Sequence, residues 1–123
     1  MIYLLIETNS QSRLSYSIDT KEKTIFILCL HVNTGFRGSG VGTRMISELV
    51  HRNRRYEYVK LDDMSDFQRD RDRDIYLKCG FEYEHEFGPE MVGKVDVISR
   101  HCRSLLRKRR FKKESVNFIT VLC

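Results

Sequence analysis

The stretch TIFILCLHVNTGFRGSGVGTRMISELVHRNR, residues 24–54, decides the fold. It opens with an apolar run, residues 24–32, in which Ile25, Ile27 and Cys29 fall on one side and Phe26, Leu28, Leu30 and Val32 on the other. Two apolar faces predict a central strand covered on both sides. Further on, Val41, Met45, Ile46, Leu49 and Val50 recur at helical spacing, with Glu48, His51, Arg52 and Arg55 opposite them. That pattern predicts an amphipathic helix over 43–54. Between strand and helix lies Arg37-Gly38-Ser39-Gly40-Val41-Gly42-Thr43. Its glycines permit positive φ and a close backbone approach to a ligand. A helix beginning there turns its unpaired N–H groups and the positive end of its dipole into the loop. Strand, glycine loop and helix together form a phosphate seat.

Two common phosphate ligands are excluded by spacing. Gly42-Thr43-Arg44 has no lysine where a nucleoside triphosphate loop needs one. Gly38, Gly40 and Gly42 alternate, whereas a dinucleotide fingerprint requires G-x-G-x-x-G. The plain alternative is a strand-to-helix turn that needs glycine only for its geometry.

On the N-terminal side, residues 2–7 read as a strand. Residues 13–19 alternate Leu14, Tyr16 and Ile18 against Ser15, Ser17 and Asp19, which predicts a strand with one buried face. The polar turn at 20–23 joins it to the run at 24–32 as a hairpin. On the C-terminal side, 56–61 predicts another strand, and 62–66 a loop and helix cap. A second helix is predicted over 67–79, polar in its first half and stopped by Gly80. Residues 81–87 alternate aromatic residues and His85 with glutamates, as in a half-exposed strand. From Met91 through Leu106, apolar residues recur every three to four positions, predicting a helix, with a strand at 95–99 as the competitor. Residues 115–122 read as a last strand.

A chain of 123 residues makes one domain, 1–123, with room for a single core. The apolar content of 41% can fill that core. Cys29, Cys79, Cys102 and Cys123 form no C-x-x-C pair and no zinc-ligand spacing with a histidine, so no metal site is expected. Two of these cysteines sit inside apolar runs, where a thiol acts as a small hydrophobe. A reducing compartment, the cytoplasm, is the expectation. The N-terminus lacks the pattern of a signal peptide, and no apolar run reaches the length of a membrane span. The net charge of +5 is local: residues 100–113 hold eight basic side chains and no acidic one, leaving −3 for the rest. That basic stretch, with Arg107, Lys108, Arg109 and Arg110, predicts either a polyanion contact with a nuclear-import role or a solvated helix end.

The loop and its flanks resemble the coenzyme A loop of the GCN5-related N-acetyltransferases. That family's pattern of Arg or Gln, two residues, Gly, one residue, Gly or Ala is met by Arg37-x-x-Gly40-x-Gly42. A second family element, a helix ending in Tyr-x-x-x-Gly-Phe, is met by Tyr76-Leu77-Lys78-Cys79-Gly80-Phe81. The resemblance covers about residues 13–87, with the last strand added and 90–113 as a basic insert. It implies an α/β domain with a mixed, mostly antiparallel sheet flanked by helices.

The resemblance also implies acetyl transfer from acetyl-coenzyme A, as co-substrate, to an amine. The backbone N–H groups of Gly38, Ser39, Gly40, Val41, Gly42 and Thr43 would cradle the pyrophosphate, with charge from Arg37 or Arg44. Leu30 to Val32 would pair with the pantetheine arm, and a strand N–H there would stabilise the oxyanion. Tyr76 stands where the family often places the acid that protonates the leaving thiolate. For the base, Phe26 occupies the position where some members carry a glutamate. His31 is a candidate, Glu7, Asp62 and Asp63 are weaker ones, and a water relay is compatible.

Two features depart from the family. The usual first strand and two helices ahead of the hairpin have no room here. The acceptor pocket is then built from 88–113 or from a second subunit, which makes a homodimer attractive, or it is absent. In addition, Arg69 and Asp72 replace the small and amide residues of the helix leading to Tyr76, and Arg69 is a candidate for the coenzyme's 3′-phosphate. A coenzyme A binder without transferase activity, and a nucleic-acid module using 100–113, are the alternative functions.

Overall fold

Strand β3, Thr24–His31, is the hinge of the architecture because its two neighbours run in opposite senses. The computed structural model describes residues 1–36, 38–63, 75–108 and 118–122. In chain order these form β1 (Tyr3–Glu7), β2 (Ser12–Asp19), β3, a 3-10 turn at Thr34–Phe36, α1 (Val41–Arg52) and β4 (Tyr58–Asp62). There follow α2 (Ile75–Lys78), β5 (Glu82–Tyr83), β6 (Glu90–Lys94), α3 (Val95–Lys108) and β7 (Phe118–Leu122). The described strands make one seven-stranded sheet in the order β5-β6-β4-β3-β2-β1-β7. Every pair is antiparallel except β3 with β4, which α1 connects as a crossover. The fold is the mixed, mostly antiparallel α/β sheet that the sequence predicts.

The alternation of β1 and β2 places Leu5, Leu14 and Tyr16 on one sheet face, joined by Ile25, Ile27, Val59, Leu61 and Met91. Met45, Ile46, Leu49 and Val50 of α1 cover that face, beside Ile98 and Cys102 of α3. Each fully buried aliphatic side chain contributes about 1.5–3 kcal/mol, so this layer dominates the stability. Asn53 closes α1, its side-chain Nδ2 donating to the Leu49 carbonyl at 2.8 Å. Among the described residues no helix is long and apolar enough to cross a membrane.

Four expectations change. The predicted cover on both faces of β3 fails at Leu28, which is 52% exposed, and at the exposed Cys29. Pairing with β2 jumps from Ser15↔Cys29 to Tyr16↔Ile27, so Leu28 is the extra residue of a β-bulge. Pairing with β4 also ends at Ile27↔Leu61, which leaves the second half of β3 without that neighbour. The helix predicted from Met91 instead begins at Val95, because Glu90–Lys94 inserts between β4 and β5 as a strand. Met91 and Val95 both face the core across that junction, which imitates helical spacing, and the competing strand at 95–99 is replaced by helix. The strand predicted over 81–87 is confined to Glu82–Tyr83. Past it, the Glu84 N–H donates to the Glu90 carbonyl at 2.9 Å and closes a turn, with Phe87 86% exposed. Finally, α1 starts two residues early, at Val41.

Residues 64–74, most of the predicted second helix, lie outside the described residues, as do Arg37, Arg69, Asp72, Arg109 and Arg110. The end of that helix is as predicted. Gly80 has φ of 97°, its N–H donates to the Leu77 carbonyl, and the Phe81 N–H donates to the Tyr76 carbonyl at 3.0 Å. This double closure needs a left-handed residue, which glycine adopts without strain.

Candidate functional site

A cleft of about 410 Å³ opens where β3 ends and α1 begins. Leu30, His31 and Val32 form one wall. Phe36, Gly38, Gly40, Val41, Gly42 and Thr43 form the floor. Ile75, Tyr76 and Lys78 of α2 stand opposite, and Leu105 and Leu106 of α3 close the end. The structure therefore gathers Leu30, Val32, Gly38, Gly40, Val41, Gly42, Thr43 and Tyr76 around one space. Arg37 lies outside the described residues. Ser39 does not line the cleft: its N–H and its hydroxyl both donate to the Phe36 carbonyl, so it holds the loop's shape.

The floor has the chemistry of an anion seat. Gly40 caps α1 in the left-handed region, φ 88°, and offers no side chain to the helix N–H groups. The first intrahelical bond recorded at the cap is Arg44 N–H to the Gly40 carbonyl, 3.0 Å. The N–H groups of Val41, Gly42 and Thr43 lie in the turn that has no intrahelical acceptors. The dipole of this 12-residue helix adds about half an elementary charge at that end. Gly42 carries a second constraint. A Cβ there would stand 2.6 Å from Ile75 Cδ1 and 3.5 Å from Val32 Cγ2, so the missing side chain lets α2 approach α1.

Tyr76 is half-buried, its ring edge-on to Phe81 with centroids 5.8 Å apart. His31 is exposed on the cleft wall. Glu7, buried to 3% exposure, is absent from the lining. Burial pushes its pKa up, but hydrogen bonds from the Ser10 hydroxyl and the Asn9 and Ser10 N–H groups, with the Arg44 charge, outweigh that and hold the carboxyl below its ordinary range.

Phe26 lies instead beside another cavity, of about 440 Å³, located where β3 and β4 part. Leu28, Lys60, Asp62, Glu84, Glu90 and Met91 also line it. Lys60 Nζ is 3.3 Å from Glu84 Oε1. Arg107 and Lys108 end α3 as exposed cations.

Sequence reasoning missed Phe36, Ile75, Lys78, Leu105 and Leu106 in the cleft. Lys78 sits inside the Tyr-x-x-x-Gly-Phe element and was findable, since it is two residues from Tyr76. The leucines carry no signal beyond helical spacing, because only the packing of α3 against α1 brings them to the cleft.

The sequence profile of the acetyltransferase (GNAT) family matches residues 6–81, and the chain belongs to that family. No match is found among curated proteins. Solved structures share the fold. Tetrahymena GCN5 aligns at 18% identity and TM-score 0.57, over 76% of this chain and 67% of that one. The ribosomal-protein-S18-alanine N-acetyltransferase of Escherichia coli aligns at 14% and 0.57, over 76% and 69%. PaiA N-acetyltransferase of Thermoplasma acidophilum, solved with coenzyme A, aligns at 17% and 0.56, over 68% of this chain and 52% of that one. Acyl transfer is the general chemistry of this family.

Proposed function

We propose that this protein is an N-acetyltransferase that moves the acetyl group of acetyl-coenzyme A to an amine. One observation carries the reading: the uncapped N-terminus of α1 and the side chain of Tyr76 border the same cleft. The pyrophosphate sits on the N–H groups of Val41, Gly42 and Thr43, and the pantetheine arm runs along Leu30 to Val32. The amine lone pair attacks the thioester carbonyl carbon, and the oxyanion that forms is stabilised by a β3 N–H. Collapse expels the coenzyme A thiolate, which takes the Tyr76 hydroxyl proton, and the surplus proton of the attacking nitrogen leaves through solvent and restores the Tyr76 phenol, giving a neutral amide and free thiol.

In this reading the acceptor arrives from the cavity at Phe26 and Leu28, where the loss of β4 pairing exposes β3. Asp62 and Glu90, in excess of the Lys60–Glu84 pair, make that approach suited to a positively charged amine. Such an amine must lose a proton before attack, either to His31 or to water. A His31→Gln variant that keeps its activity assigns the step to water.

Acetyl-coenzyme A is expected to raise the melting temperature, and amines drawn from polyamines, aminoglycosides and peptides to release free thiol. No thermal shift at millimolar coenzyme overturns the donor site. A shift without thiol release across the panel leaves a coenzyme A binder that does not transfer.

A further inference from the structure

Beneath the glycine loop lies a buried polar chain that the acetyl-transfer reading leaves unused. Glu7 ends β1 and is 3% exposed. Its carboxylate accepts the Asn9 N–H at 2.9 Å, the Ser10 N–H at 2.7 Å and the Ser10 hydroxyl. The Ser10 and Ser12 hydroxyl oxygens are 2.8 Å apart. Ser10 has one proton, and the carboxylate is the stronger acceptor, so Ser12 donates to Ser10. Ser12 in turn accepts the Asn33 N–H at 3.2 Å, and the Asn33 amide Nδ2 donates to the Ser10 carbonyl. Ser10 and Ser12 are buried as fully as Glu7.

Asn33 immediately precedes the 3-10 turn that follows β3 and leads into the glycine loop. Its carbonyl accepts the Phe36 N–H at 2.9 Å, and the Phe36 carbonyl accepts Ser39. Hydrogen bonds thus run from the Glu7 carboxylate through Ser10 and Ser12 to the Asn33 N–H, and the backbone of Asn33 and Phe36 carries the tie on, by separate carbonyl bonds, to Ser39, next to the Gly40 cap of α1. From the carboxylate to the Asn33 N–H each donor is polarised by the next, and the ionised end strengthens that run.

We propose that Glu7 is a positioning residue for the coenzyme seat: through Ser10, Ser12 and Asn33 it fixes where the glycine loop leaves β3, without touching the ligand. The inference rests on the donor-site reading for its ligand, but the loop's own order tests it separately. Core packing alone explains a buried apolar residue at this place. It does not explain a buried carboxylate whose bonds lead by way of two serines to the start of the loop.

The test compares the wild type with Glu7→Gln, Ser12→Ala and Asn33→Ala, each at a temperature where circular dichroism shows it folded. Two quantities are read, the Kd for coenzyme A by calorimetry and the hydrogen-exchange rates of the Asn33, Phe36 and Ser39 amides. The expected result is coenzyme binding weaker by about tenfold, the worth of one hydrogen bond in a charged network, together with faster exchange at those amides. If Glu7→Gln does not fold, Ser12→Ala, which deletes one hydroxyl, keeps the test decisive; Asn33→Ala removes only the Nδ2 bond to the Ser10 carbonyl and leaves the Asn33 N–H on Ser12. Unchanged Kd and unchanged loop exchange, with only a lower melting temperature, assign the chain a purely structural role and overturn the proposal. If the wild type binds no coenzyme A, the donor-site reading fails, and the exchange rates alone decide whether Glu7 orders the loop.

Discussion

Gly42 and Ile75 are in such close contact that a single methyl group on Gly42 would sit 2.6 Å from Ile75 Cδ1. Two effects compete in a Gly42→Ala variant. Alanine gains about 1 kcal/mol of helix propensity over glycine, and the overlap with a flexible side-chain end takes back a similar amount, at the low end of about 1–3 kcal/mol. Stability in urea should therefore change little. Ile75 and the neighbouring Tyr76 must yield toward the cleft, and coenzyme A affinity should fall about tenfold. Ile75→Val removes the offending carbon, so the double variant should recover affinity. Failure of that rescue would show that Gly42 matters for approach to the ligand rather than to α2.

Tyr76 has separable parts. Its ring packs on Phe81, and its hydroxyl is the acid in the proposed mechanism. Tyr76→Phe should lower kcat about a hundredfold, with the KM for acetyl-coenzyme A unchanged. An unaltered kcat removes Tyr76 from the chemistry.

Glu7 makes stability depend on pH in one direction. Its carboxyl titrates below the ordinary value of 4.5 in the folded chain. The folded state thus holds the charged form more tightly than the unfolded state does. The stabilisation is complete above the unfolded value and is lost as pH falls through the lower folded one. Unfolding free energy measured from pH 7 down to pH 3 should drop more steeply for the wild type than for Glu7→Gln. Parallel profiles would contradict the assignment.

The described cysteines should differ sharply in reactivity. Cys79 and Cys102 are fully buried, whereas Cys29 is exposed beside the bulge. A hydrogen bond from Cys79, and then burial, push the Cys102 thiol far above its usual range. Attack needs the thiolate. Iodoacetamide at neutral pH should label Cys29 and leave Cys79 and Cys102 unmodified in the native protein, as peptide mass spectrometry can read. Native labelling of Cys102 would mean that its contact with Cys79 opens.

The hairpin, α1 and the glycine turn before it were legible because each follows from a local rule: alternation, helical spacing, or glycine where φ is positive. Gly80 announced its own turn in the same way. What escaped reading depended on contacts distant in sequence. The Met91 spacing mimics a helix only because a strand and a helix bury side chains on the same layer. Leu28 is as apolar as its neighbours, and nothing local shows that a bulge turns it outward. The place of Leu105 and Leu106 at the cleft is set by how α3 lies against α1. Lys78 was within reach, but a lysine inside a motif reads as surface until the opposite wall is known.

Strand β7 reaches the sheet by pairing with β1, residue Tyr3 against Leu122 and Glu7 against Phe118. Closing a loop of that length is roughly five doublings beyond a tight hairpin, an entropic handicap of about 3 kcal/mol. Arg52 meets the strand once it arrives, donating to the Thr120 hydroxyl at 2.6 Å and to the Phe118 carbonyl at 3.2 Å, while its Nε holds Glu48. That clasp needs α1 already in place. The order of assembly follows: the hairpin and its crossover helix, with the glycine loop between them, come together first, and the far edge of the sheet is sewn on last. Pulse-labelled hydrogen exchange should find the β7 amides the slowest to gain protection, and early protection there would reverse that order.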